Sequence, residues 1–126
     1  MPQTLSVLPG EYAVVQLPPD APVPGWALAG GFFSLTRARG EFSLVVEAAR
    51  VPPGLCAEAG WALLGLQGPF DFALTGVLLE VLGPLARAGV GIFALSTFDT
   101  DYVLVKAAQL DTALAALQDA GHTILP

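Results

Sequence analysis

Charge is what this sequence has least of: 13% of its 126 residues are Asp, Glu, Lys or Arg, roughly half the usual share. Five Lys and Arg stand against eleven Asp and Glu, for a net charge of −6. That balance repels phosphate backbones and leaves no basic stripe, so nucleic acid is excluded as a partner. Cysteine is nearly absent too. Cys56 is alone, so no internal disulfide can form, in keeping with a reducing compartment. With no basic neighbour it reads as an inert small hydrophobe. His122, the one histidine, follows Gly121 and reads as a partly exposed strand residue, not a general base. Nucleophilic, metal-hydrolytic and redox chemistry each lack their minimum set of residues. No catalytic residue, metal site or cofactor is expected, and the chain is not expected to be an enzyme. Long apolar runs are missing as well. Glu80 and Arg87 interrupt the longest candidate, around Phe72 to Phe98, whereas a membrane span needs about 20 uninterrupted residues. The opening MPQTLSVLPG has no basic segment and no apolar core of signal-peptide length, so a cytoplasmic chain is expected.

What is present is apolar surface. Hydrophobic residues make up 54% of the chain, enough to bury a sizeable core in one ordinary domain or two very small ones. So apolar and so weakly charged a chain is expected to cover further surface with a partner, and a second copy is the simplest one, giving a homodimer.

The stretch from Gly68 to Val105, GPFDFALTGVLLEVLGPLARAGVGIFALSTFDTDYVLV, organises the rest. Leu74, Val77, Leu78, Val81, Leu82 and Leu85 recur at helical spacing and predict an amphipathic helix. Asp71 is placed to cap its start and Gly89 to close its end. Pro84 has no N–H to give and should kink the helix or release its last turn. Ile92 to Phe98 and Asp101 to Val105 then read as two strands with a turn at Asp99-Thr100. A second helix carrying Leu110, Leu114 and Leu117 ends at Gly121, and a short strand spans His122 to Leu125. Upstream, strands are expected over Thr4 to Leu8 and Glu11 to Leu17, joined by a Pro9-Gly10 turn. A connector with four prolines follows, from Pro18 to Gly25, and Ala21 to Ala29 has room for one or two helical turns. Gly31 to Arg37 and Glu41 to Glu47 form a hairpin, and Trp61 to Gln67 is the strand leading into the organising stretch.

The two halves resemble each other. Displaced by sixty residues, Phe32 to Thr36 falls on Ile92 to Ser96, and Phe42 to Val45 on Tyr102 to Val105. Displaced by fifty, Glu11 to Leu17 falls on Trp61 to Gln67. The first half (residues 1–59) thus looks like the second (60–126) with its helices shortened. Strand, helix, two hairpin strands, helix and strand is the ferredoxin-like βαββαβ pattern. The fold class expected is α+β, as two tandem units with antiparallel sheets. The first unit has no obvious final strand, and Thr4 to Leu8 is the candidate substitute.

Polar chemistry gathers at two places. Asp99 and Asp101 concentrate carboxylates between apolar strands, on one side of the sheet if no bulge intervenes. The plainer reading is a solvated turn; the sharper one is a seat for an ammonium or guanidinium group, which carboxylates bind by charge-assisted hydrogen bonds. Two acids alone do not make a metal shell. The loop Gly68 to Gly76 meets a helix start, where free N–H groups suit a carboxylate and Thr75 can add a hydroxyl. Alternatively, Asp71 already satisfies those donors. Gly89 to Ala94 spells GxGxxA, but with helix before and strand after, the reverse of a dinucleotide site.

The organising stretch resembles the ACT-domain family, in particular short bacterial proteins of two tandem ACT units, related to aspartate-kinase regulatory domains and cytosolic arginine sensors. Gly30 to Arg37, GGFFSLTR, is similar to the first unit of those proteins. The resemblance implies a regulatory, allosteric protein that binds a free amino acid at an interface between ACT units, and a separate chain as any enzyme it regulates. It implies a ligand held by Gly68 to Gly76 and by Ile92 to Asp101. Asp71, Thr75, Ser96, Thr97, Asp99 and Asp101 are then candidate polar contacts. Phe70, Phe72 and Phe98 are candidate walls, with Gly68, Gly76 and Ile92 completing the site. The alternative is an assembly module that keeps this fold without a ligand.

Overall fold

The structure, a computed structural model, describes residues 2–69 and 76–126. The chain divides into two compact units, a larger one of Met1–Pro9 with Ala62–Pro126 and a smaller one of Gly10–Trp61. Two long strands, β1 (Thr4–Leu17) and β4 (Cys56–Leu66), are divided between them. β1 therefore runs without interruption where Pro9-Gly10 predicts a turn. Gly10 keeps the strand going at a φ of 94°, a backbone angle that costs glycine nothing.

The larger unit continues from β4 through α1 (Val77–Arg87), β5 (Ile92–Ser96), β6 (Asp101–Lys106), α2 (Leu110–Asp119) and β7 (Thr123–Leu125). This is the βαββαβ order, with strands lying β7-β1-β4-β6-β5. The start of β1 pairs in parallel with β7, Leu5 opposite Ile124. The expectation that Thr4 to Leu8 closes the first unit is thus corrected: that segment serves the larger unit. Both helices cover one face, where Val77, Val81 and Leu85 of α1 and Ala113 and Leu117 of α2 pack on Leu5, Ala62, Leu64, Leu66, Val103 and Val105. Helical spacing marks out Val77, Val81, Leu85 and Leu117 but not Ala113, and Leu78, Leu82, Leu110 and Leu114, which it also marks, are only partly buried against this core.

α1 begins one residue after Gly76, which takes the cap position in the left-handed region at a φ of 80°. The cap assigned to Asp71 is therefore corrected; Asp71 itself lies outside the described residues. Pro84 stands inside α1, and the helix runs on, with Ala88 N–H bonded to the Pro84 carbonyl at 3.0 Å. The carbonyl that Pro84 leaves without its helical donor is that of Glu80. His122 reaches it, with Nε2 2.8 Å away.

The smaller unit holds the rest of β1 with β2 (Ser34–Ala38) and β3 (Glu41–Glu47), ordered β2-β3-β1. Single 3-10 turns at Gly25–Ala27 and Ala48–Arg50 stand where the larger unit has helices. Pro52 and Pro53 explain why the second turn does not grow, since they can continue no helix after Arg50, and the first runs into Gly30-Gly31, which favours no helix. Ala13, Val15, Leu17, Phe42, Leu44 and Val46 form its core.

The two cores correct the sequence repeat by one residue. Core-facing Leu44 and Val46 of β3 correspond to Val103 and Val105 of β6, and Ala13, Val15 and Leu17 correspond to Ala62, Leu64 and Leu66. Each spacing is one residue shorter than the apolar match proposes. An odd slip exchanges the two faces of a strand, so Phe42 occupies the place of Asp101 and not of Tyr102.

Candidate functional site

In the larger unit β5 and β6 pair antiparallel, from Ile92 opposite Val105 to Ser96 opposite Asp101. One further step is closed by Thr97 N–H donating to the Thr100 carbonyl at 2.8 Å. The two central turn residues are thus Phe98 and Asp99, one position earlier than expected. Thr97 Oγ1 accepts from Thr100 N–H at 3.3 Å and donates to the Thr100 carbonyl at 3.2 Å, tightening the turn. Asp99 belongs to the turn and escapes strand alternation, whereas Asp101 begins β6 two positions before the core residue Val103. Alternation puts Asp101 on the helix-covered face. Directly across, Ser96 Oγ donates to Asp101 Oδ1 at 2.5 Å, which leaves the carboxylate with further acceptor capacity.

The turn is tied to the loop after β4. Thr100 Oγ1 donates to the Leu66 carbonyl at 2.8 Å. Gly68 lies so close that a Cβ there would stand 2.8 Å from the Asp99 carbonyl and 3.0 Å from Thr100 Cβ. Gly68, Ser96, Thr97, Asp99 and Asp101 are therefore neighbours through Thr100, a residue the sequence reading passed over. Ile92 is partly exposed at the far end of β5, and Phe98 stands 79% exposed at the tip. Gly76 brings no side chain to the start of α1. Phe70, Asp71, Phe72 and Thr75 lie outside the described residues.

His122 departs from expectation. It is 5% exposed and stands just before β7. Its Nδ1 accepts from Gln3 N–H at 2.9 Å, which assigns the ring proton to Nε2 and makes that atom the donor to the Glu80 carbonyl. The ring links the start of β1 to the helix carbonyl that Pro84 leaves open. Two clues stood in the sequence, a proline four residues after Glu80 and a solitary histidine. Nothing there joined them.

The smaller unit has a polar cluster that the sequence reading missed. Glu47 Oε1 accepts from Arg50 Nε at 2.9 Å and Oε2 from Gly31 N–H at 3.3 Å. The Arg50 bond first, then the Gly31 bond, hold the Glu47 carboxyl below its usual range. Tyr12, opposite Glu47 in the β1–β3 ladder, has its hydroxyl pKa pushed up by burial and secondarily by the Glu47 charge. Gly30 has a φ of 100°, and a side chain there would meet the Glu47 carboxylate at 2.7 Å. Cys56 is exposed, not buried, its Sγ 3.8 Å from Gln16 Oε1. Among the described residues no group of three or more His, Cys, Asp or Glu is placed to hold a metal. Among them, too, no helix is long and apolar enough to cross a membrane.

Comparison with known proteins agrees with this architecture. A family profile described as ACT domain matches residues 57–119, and a second, for an N-terminal domain, matches residues 10–54. The crystal structure of protein Atu0741 from Agobacterium tumefaciens superposes with a TM-score of 0.94 at 39% identity, covering 99% of this chain and 93% of that one. The regulatory subunit of aspartate kinase from Thermus thermophilus shares the fold, with a TM-score of 0.59 at 16% identity over 88% of this chain and 91% of that one. Subunit 1 of the cytosolic arginine sensor for mTORC1 from Bos taurus is 32% identical over 97 residues, 68% of this chain and 30% of that protein. The human counterpart is 31% identical over the same length. The chain spans about a third of the length of the curated relatives it matches. The matched profile, the βαββαβ order of the larger unit and the near-complete superposition together make this chain a member of the ACT-domain family.

Proposed function

We propose that this protein is a non-catalytic regulatory sensor that binds a free amino acid through its larger unit, as a homodimer in the cytoplasm, and acts on a separate chain. The observation that carries the reading is Asp101. A carboxylate on the helix-covered face of a hairpin, beside the loop that enters α1, stands where the smaller unit has the buried ring of Phe42. Asp101 is only partly buried, so its carboxylate is open to solvent and to a ligand. A cationic group meeting it would use the acceptor capacity that Ser96 leaves.

In this reading the ligand's cationic end meets Asp101, with Asp99 at the turn adding negative potential, and its α-carboxylate takes backbone N–H groups of the Gly68 to Gly76 loop. Phe70, Asp71, Phe72 and Thr75 complete the loop side. Ile92 and Phe98 become walls once ACT units face each other, which is why exposed Phe98 belongs in the site. The curated relatives are named for arginine, which makes a cationic amino acid the first to test. Enclosure would favour whichever arrangement of units makes more contacts with the ligand.

The ligand-free assembly module stays as a second reading because Ser96 already occupies one Asp101 oxygen and Thr97 and Thr100 satisfy each other. A thermal-unfolding screen with free amino acids separates the two. A ligand at 100 times its dissociation constant adds about 2.7 kcal/mol of stability. If no amino acid raises the melting temperature, the sensor reading fails and the assembly module stands.

A further inference from the structure

The smaller unit already contains a bound cation, and it is part of the chain. Arg37 on β2 lies opposite Phe42 on β3, and its guanidinium carbon sits 4.0 Å from the centre of the Phe42 ring. Its two terminal nitrogens donate to separate carbonyls of the proline-rich connector, Nη1 to Pro19 and Nη2 to Ala21, each at 2.5 Å. Phe42 is 1% exposed, packed in the core of the smaller unit with the Arg37 guanidinium against its ring. Two carbonyls side by side and an aromatic face below form a seat for a planar fork of N–H donors. A compact ammonium cannot span both carbonyls while lying flat on the ring.

The position of this seat gives it meaning. In each hairpin the pair one step in from the two turn-flanking residues is the same: Arg37 with Phe42 in the smaller unit, Ser96 with Asp101 in the larger. The connector that supplies Pro19 follows β1 as the Gly68 loop follows β4, with Leu17 and Leu66 in matching core positions. Hence the arginine side chain of one unit occupies the place that the proposed ligand would take in the other.

We propose that Arg37 is a resident ligand. At the place where the larger unit offers the Asp101 carboxylate, the smaller unit builds a different cation seat from the Phe42 ring and two connector carbonyls and fills it from its own strand, so it is closed to free ligand and the chain takes one amino acid, not two. The ligand-site equivalence rests on the function proposed above; the guanidinium seat does not.

The test empties the seat in a chain whose other site is disabled. Arg37→Ala is made in an Asp101→Asn background, and melting temperature is followed with ethylguanidinium or ethylammonium chloride at matched concentration. The double variant should melt below the Asp101→Asn parent. Ethylguanidinium should recover about half or more of that loss, while the parent gains nothing from it and ethylammonium restores neither. Equal responses of parent and double variant, or equal rescue by ethylammonium, would overturn the proposal. Should the alanine variant not fold, Arg37→Gln keeps part of the stem, and the Phe42 ring resonances must then shift with ethylguanidinium alone. Failure of rescue leaves amino-acid binding by the larger unit untouched, and failure of that binding leaves the rescue untouched.

Discussion

At the scale of single residues, the two units treat carboxylates differently. Glu47 is ion-paired and bonded to a backbone N–H, and its pKa is depressed by those contacts. A depressed carboxyl contributes stability that is present above its unfolded pKa and lost as pH falls through its folded value. Unfolding of Glu47→Gln across an acid series should therefore differ most from the wild type near neutrality and converge with it below the carboxylate range. A difference that stays constant with pH would contradict this role. Gly68 makes a second residue-scale case. A methyl group there would collide with the Asp99 backbone carbonyl, and overpacking against backbone costs roughly 1–3 kcal/mol. Gly68→Ala should unfold at lower urea concentration by that margin; an unchanged midpoint would show the loop free to move away from the turn. Neither the Gly31–Glu47 bond nor the Gly68–Asp99 approach was legible in the sequence, because each joins residues sixteen or more apart through irregular backbone; the Glu47–Arg50 pair, three residues apart, was passed over.

Among the elements, α1 is informative because it keeps a proline that should break it. Removing the proline from a helix interior ordinarily recovers about 3 kcal/mol. Here the abandoned Glu80 carbonyl is bonded to His122, so Pro84→Ala should change stability far less. His122→Ala removes the acceptor of the buried Gln3 N–H and a donor to the Glu80 carbonyl, and should cost about 1–3 kcal/mol. Because the residue-84 N–H and His122 compete for one carbonyl, the two substitutions should couple. A double-mutant cycle by urea denaturation should return an interaction energy of about 0.5 kcal/mol or more; strict additivity would refute the link. The apolar faces of α1 and α2 were legible from helical spacing, and so were the strands except for the unbroken run of β1 through Pro9-Gly10 and the first half of β4. Register was not. Val103, Leu104 and Val105 are all fully buried, so alternation, the only local signal that separates one face from the other, is erased where the repeat had to be aligned. The apolar match settled one residue away from the structural one and hid the correspondence of Asp101 with Phe42.

For the whole molecule, two units of like strand order and unequal helix content are the organising feature. The larger unit keeps both helices and an acidic hairpin, while the smaller reduces its helices to single turns and closes its hairpin with Arg37. The proline-rich connector and the shorter displacement of the first strand announced that asymmetry in the sequence; what fills each hairpin could be read only in three dimensions. As a sensor completed by facing units, the chain should sediment as a dimer, and a monomer at all accessible concentrations would remove the walls from the site. The most direct test of the account is a calorimetric titration of the intact protein with free arginine and lysine, repeated on Asp101→Asn. The account predicts saturable binding of one ligand per chain by the wild type, weakened tenfold or more by the substitution, which is about 1.4 kcal/mol, with an unchanged melting temperature in the absence of ligand. Equal affinity in both proteins, or no binding to either, would contradict it.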